Sequence, residues 1–177
     1  MDKETAMGTE TSDTAGVARR VHQRWQAREA PDGDFIVFAD GSLSVMNLVR
    51  LSRPEQQGGP RAEQWQWLEV LRATEWTAHN WVDAGSLLSS HTHTGSRALA
   101  GESADHGSIG WVALTRDDDE GTLEWIAVSN WSNPFSDVTV DGTTVTAVST
   151  AGRVWAFPRD APQRVEITED QAYPRPR

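Results

Sequence analysis

The sequence predicts a mainly β fold: an antiparallel meander sheet, sandwich-like or strongly twisted, carrying one N-terminal amphipathic helix. Three observations lead there. Short apolar runs recur from Phe35 to Thr168 and are punctuated by Asp-Gly and Ala-Gly pairs, which are turn signals. Trp111-Val112-Ala113-Leu114 and Trp125-Ile126-Ala127-Val128 are apolar on successive positions, as strands covered on both faces must be. A clear helical period appears over Ala15–Ala30, where Val17, Val21 and Trp25 recur at spacing four.

Taken in order, residues 1–14 hold four acidic residues, one lysine and little bulky apolar surface, and read as an acidic disordered tail. The helix follows, with Thr14 as its N-cap and Pro31-Asp32-Gly33 as its stop. Arg20, Arg24 and Arg28 form a second stripe on it, either solvated or paired with the acidic surface, or, since this local charge opposes that of the whole chain, the mark of a partner-binding helix. Phe35–Phe38 and Leu43–Val49 flank Asp40-Gly41 and predict a hairpin, because glycine supplies the positive φ of the turn. Residues 53–60 read as a loop. The alternation Gln-Trp-Gln-Trp tilts Gln64–Trp76 to strand, although Trp65, Leu68, Leu71 and Trp76 also suit a helix. A short helix is expected within Thr74–Leu88, then a long polar loop over Ser86–Ser108.

Ile109–Thr115 and Thr122–Ser129 flank the acidic turn Arg116–Gly121 and predict a second hairpin. Val138–Val140, Thr143–Ser149 and Val154–Phe157 form a meander, and Arg164–Thr168 adds an edge strand. The domain division is therefore 1–14 tail, 15–168 single mainly β domain, and 169–177 Pro-rich tail. Leu123–Phe157, with its Asp-Gly turn and Gly152-Arg153-Val154-Trp155, resembles one blade of a β-propeller. A propeller needs roughly 40 residues per blade and at least four blades. No internal repeat fills that number, so the meander is retained and the propeller is not.

Composition narrows the function classes. The chain has 177 residues, no cysteine and a net charge of −10, with a mean hydropathy of −0.56. Disulfides, thiolate chemistry and cysteine zinc sites are excluded. The acidic balance argues against nucleic-acid binding through a basic face. No apolar run reaches membrane-spanning length and no signal-peptide pattern opens the sequence, so a cytoplasmic protein is expected. Lys3 is the sole lysine against fifteen arginines, which points to a GC-rich bacterial genome and removes a P-loop or Schiff-base lysine from the body of the domain.

Candidate site residues fall into four groups. His91 and His93 project to one side of an extended segment, and His106 beside Asp105 completes a possible zinc ligand set with an open position. Gly101-Glu102-Ser103-Ala104-Asp105 starts like a nucleophile elbow and lacks its last glycine. Asp117, Asp118, Asp119 and Glu120 miss the glycine placement of a calcium loop and instead suit contact with a basic partner. The nine tryptophans set against one tyrosine are the fourth group. Trp111, Trp125 and Trp155 lie within strands and read as core, whereas exposure of some among Trp65, Trp67, Trp76, Trp81 and Trp131 would provide binding anchors, with Trp131 assigned to the partner surface.

The leading function is a non-catalytic, acidic, cytoplasmic protein-binding domain, an immunity or antitoxin-like inhibitor of a basic partner that needs no cofactor. The first alternative is a zinc-dependent hydrolase built on the 86–108 segment. The second is a carbohydrate-binding β domain using exposed tryptophan.

Overall fold

The computed structural model describes residues 14–52, 63–74 and 80–169. The expected 53–60 loop, Trp76, residues 1–13 and residues 170–177 lie outside the described residues. The fold class is as expected: mostly β, antiparallel, not closed into a barrel, with one helix near the N-terminus. That helix, α1, is Thr14–Gln26. Among the described residues no helix is long and apolar enough to cross a membrane.

Thirteen strands follow among the described residues: β1 (Glu29–Pro31), β2 (Phe35–Phe38), β3 (Leu43–Ser52), β4 (Glu63–Ala73), β5 (Trp81–Asp83), β6 (Ser86–His93), β7 (Ser96–Glu102), β8 (Gly110–Arg116), β9 (Leu123–Ser129), β10 (Phe135–Val140), β11 (Thr144–Ser149), β12 (Arg153–Pro158) and β13 (Glu166–Glu169). Seven of them make one sheet in the order β4-β3-β2-β9-β8-β7-β6. The meander β10-β11-β12-β13 makes a second sheet, and β1-β5 a two-stranded ribbon.

Strand alternation distributes the core to both faces of the large sheet. Ile36, Trp67, Ala98, Ala100, Val112 and Leu114 face the four-stranded sheet and meet Val138, Val145, Trp155 and Phe157. Val37, Leu99, Trp111, Ala113 and Ile126 face the other way and meet Val21 and Trp25 of α1 with Ala30 and Val82 of the ribbon. The consecutive apolar positions of β8 and β9 are thus explained by burial on both sides, as the sequence predicts.

Three expectations need correction. The helix ends at Gln26, short of Ala30, because Arg28 adopts a left-handed conformation (φ 59°). The Ala27 and Arg28 amides close the last turn on the Gln23 and Trp25 carbonyls, and the chain leaves into β1. Residues 80–88 hold β5 and the start of β6 where a short helix is expected. The ribbon pairing Ala30↔Val82 decides this, a long-range contact that no local period reports. Most of the 86–108 loop is the β6–β7 hairpin. Its strands read as loop because small residues do the packing: Ala98, Ala100 and Gly101 allow close approach from both layers. A Cβ on Gly101 would run into the Ser86 carbonyl oxygen and lie 2.7 Å from the Trp111 indole.

Gln64–Trp76 resolves to strand over Glu63–Ala73, paired along its length with β3. The Asp40-Gly41 turn is present, with Gly41 at φ 88° and Asp40 Oδ1 accepting from the Ser42 amide (2.9 Å). The final edge strand is β13.

Candidate functional site: a cleft between the helix end and the acidic turn

The four carboxylates Asp117–Glu120 occupy the β8–β9 turn and fall into different environments. Asp117 is ion-paired with Arg97, and its amide donates to the Gly95 carbonyl at 2.9 Å. Asp118 accepts the Thr122 amide at 2.8 Å, and this bond holds its carboxyl below the ordinary value. Asp118 is therefore also the brace of its own turn. Asp119 and Glu120 are exposed. The turn is clamped from above. The Trp25 indole donates to the Gly121 carbonyl at 3.1 Å, and the Gln26 amide donates to the Glu120 carbonyl at 2.7 Å.

This clamp creates a cleft of about 400 Å³ between the C-terminal end of α1 and the outer part of the sheet. Its floor includes Leu87, Ser90 and Thr92 of β6 with Leu99 of β7. Trp25 and Arg28 stand on one side, and Asp118, Asp119 and Glu120 on the other. Arg28 lies over the Trp25 ring at 5.6 Å, and Arg97 is engaged by Asp117. The turn therefore brings carboxylate charge over hydroxyl and aliphatic groups, and the two arginines of the lining, Arg28 and Arg97, are engaged by Trp25 and Asp117.

The histidines do not converge. His91 and His93 share one face of β6, opposite the cleft. The His91 Nδ1 accepts the Val140 amide of β10 at 3.1 Å, beside Ser89 Oγ accepting the Val138 amide at 3.2 Å. The outer amides of β10 are thus covered by side chains of β6. His93 lies near Asp141, whose carboxyl is held low mainly by the Thr143 and Thr144 amides. Ser86 pairs with Glu102, so His106, following Glu102, sits beyond the opposite end of the hairpin, roughly 20 Å along the strand direction. Among the described residues no three His, Cys, Asp or Glu side chains are grouped to hold a metal ion. Ser103 is buried and its Oγ accepts the Asp105 amide at 3.2 Å, the role of a turn residue.

Trp131 is 70% exposed on the β9–β10 loop. Since β9 runs from the acidic turn to Ser129, Trp131 and the carboxylates occupy opposite ends of the sheet and do not form one surface. Trp67, Trp111, Trp125 and Trp155 are core, with Trp25. Trp65 lies under the guanidinium of Arg153 at 3.9 Å, and Trp81 under that of Arg24 at 4.3 Å. Sequence inspection missed Trp25, Ser90 and Thr92 as cleft residues. The Ser-His-Thr-His alternation ahead of Thr94-Gly95 is the hairpin signal that could have found the last two.

No protein-family model matches the chain, and no curated protein matches it. Among solved structures the Dos1 propeller is similar, with a TM-score of 0.42 and 12% identity over 71% of this chain, which spans 32% of that one.

Proposed function

We propose that this chain is an acidic, cytoplasmic protein-binding domain, non-catalytic and of the immunity or antitoxin-like kind, that receives a basic segment of another protein in the cleft between α1 and the β8–β9 turn. One observation carries this reading: Trp25 and Gln26 fasten the backbone of the acidic turn, so the turn that carries the carboxylates stands beside the cleft before any partner arrives. Preset charge avoids an ordering cost on binding, and the net charge of −10 favours fast encounter with a cation. Leu87 and Leu99 add apolar contact for the stems of arginine side chains.

The test uses an acetylated, amidated alternating arginine–valine hexapeptide, titrated calorimetrically into the full chain at low and high salt. Asp119→Asn with Glu120→Gln is the informative variant, because it spares the Asp117–Arg97 pair and the Asp118 brace. Salt-sensitive binding that weakens on the order of tenfold in the variant supports the reading. Equal affinity in both proteins overturns it.

A further inference from the structure

The cleft has a strand edge for one margin. β6 is the last strand of the seven-stranded sheet, and among the described residues only β7 pairs with it. Thr94 and Gly95 both have positive φ (45° and 74°), which defines a two-residue hairpin loop of the I′ type. In such a loop the flanking pair, His93↔Ser96, exchanges hydrogen bonds. Counting back along the register, His91↔Ala98 and Ser89↔Ala100 do so as well. The intervening residues, Ser90 and Thr92, therefore aim their backbone N–H and C=O groups outward from the sheet.

Both residues with outward backbone groups also line the cleft, together with Leu87 of the same strand. Edge strands are ordinarily guarded by charge or proline. The β6 segment SLLSSHTH carries neither a carboxylate, a lysine, an arginine nor a proline. Opposed to it, across the cleft, stand the carboxylates of the β8–β9 turn.

We propose that β6 accepts a strand of the basic partner by backbone pairing at Ser90 and Thr92, with alternate partner side chains entering the cleft toward Asp119 and Glu120. Backbone pairing supplies affinity for any extended segment, and the carboxylates select cationic residues at every second position. This rests on the proposed binding role of the cleft and adds the conformation of what it binds.

The experiment compares the arginine–valine hexapeptide with two N-methylated forms, each blocking alternate backbone amides in one of the two registers. Amide hydrogen exchange of the full chain is followed at Ser90 and Thr92. Strand pairing predicts that one N-methyl register weakens binding on the order of tenfold, that the other is tolerated, and that the Ser90 and Thr92 amides become protected. Thr92→Pro, which removes an outward N–H while sparing the bonds to β7, is expected to weaken binding in the same range. Binding that depends on Asp119 and Glu120 but ignores both N-methyl registers and leaves those amides unprotected overturns strand pairing and leaves the acidic cleft standing. Binding that is absent, or indifferent to Asp119→Asn with Glu120→Gln, overturns both.

Discussion

The two faces of the seven-stranded sheet are built differently. One is closed by a whole second sheet and filled with aromatic rings: Trp67 and Trp155 meet edge-on at 5.4 Å, Phe135 and Trp155 at 5.4 Å and 90°, and Trp125 and Phe157 at 5.6 Å. The other is covered by a 13-residue helix and a short ribbon, which do not reach its margins. Leu87 at one margin and Leu51, Leu68 and Leu71 at the other remain exposed. A large sheet on a large sheet buries the most apolar area and fixes the fold. A short helix on the reverse face leaves strand surface uncovered, and the cleft is part of that remainder. Stability belongs chiefly to the aromatic face, and the proposed binding cleft lies on the half-covered one.

The strongest way to break this contrast is Trp155→Ala. Trp155 is fully buried at the centre of the aromatic face. Truncation is expected to cost about 3–5 kcal/mol through lost burial and an unfilled cavity. Its buried indole N–H has no hydrogen-bond partner among the described residues, so no hydrogen bond is lost with the ring, and relief of that unsatisfied donor works against the figure. Trp131→Ala, at 70% exposure, is expected to fall within about 0.5 kcal/mol and to leave hexapeptide binding unchanged. Urea unfolding of both variants checks the pair. Comparable losses would mean that Trp131 is buried against something in solution.

Gly101→Ala comes next and acts on the half-covered face. The new methyl meets the Ser86 backbone and the Trp111 ring, neither of which is the free end of a flexible chain. Overpacking of about 1–3 kcal/mol is expected, with loosening of the start of β6. Hydrogen exchange should accelerate in β6 more than in β12. A uniform change would show that the two faces unfold together and are not separable in stability.

A smaller effect is expected from Trp25→Phe, which keeps most of the apolar volume and deletes the donor to Gly121. The stability loss should be near 1 kcal/mol. Its sharper consequence is local: the β8–β9 turn loses its upper fastening, so amides of residues 118–121 should exchange faster and hexapeptide affinity should drop. Unchanged affinity would separate the clamp from the binding.

Much of the fold is legible in sequence where periodicity and turn chemistry coincide. The Asp40-Gly41 hairpin, the doubly buried β8 and β9, and the Val17-Val21-Trp25 stripe each carry their own signal. The 86–102 hairpin does not, because its strands are packed by Ala98, Ala100 and Gly101, and small residues show no hydrophobic period. The helix end at Arg28 is equally silent, since a left-handed arginine replaces the glycine that marks such a position. The site is half legible. The carboxylates stand out as a run, but whether they brace a turn or face a cleft depends on Thr122, Arg97 and Trp25, which only the three-dimensional packing brings to them. His91 shows the same limit: its pairing with His93 reflects a shared strand face, while its bonded partner is the Val140 amide, 49 residues away.

The finest distinction is in proton linkage, between a carboxyl at the buried margin of the aromatic face and those of the turns. Asp34 lies at the margin of the aromatic face, where its carboxylate accepts from the Ser129 hydroxyl (2.7 Å) and the Trp67 indole (3.2 Å). Burial pushes its pKa above the ordinary 3.8, and bonds from Ser129, Trp67 and Asn130 pull only partly back. A carboxyl raised in this way holds its proton more tightly in the native state. Its contribution is therefore full below the unfolded value and is lost as pH rises through the folded one. Two carboxylates of exposed turns, Asp118 and Asp141, are lowered by the Thr122 and Thr143 amides, so their contribution is present above the ordinary value and lost as pH falls through the folded one. Asp40 follows the same sense: desolvation opposes it, but the bonds from Ser42 and the charge of Arg72 prevail. In a urea-unfolding series across pH, Asp34→Asn is thus expected to remove the decline on the alkaline side of 3.8 and to keep the loss on the acid side. Profiles of wild type and Asp34→Asn that run parallel above 3.8 would show that water reaches this carboxylate, and that the aromatic face is open at the very margin where Trp67 should seal it.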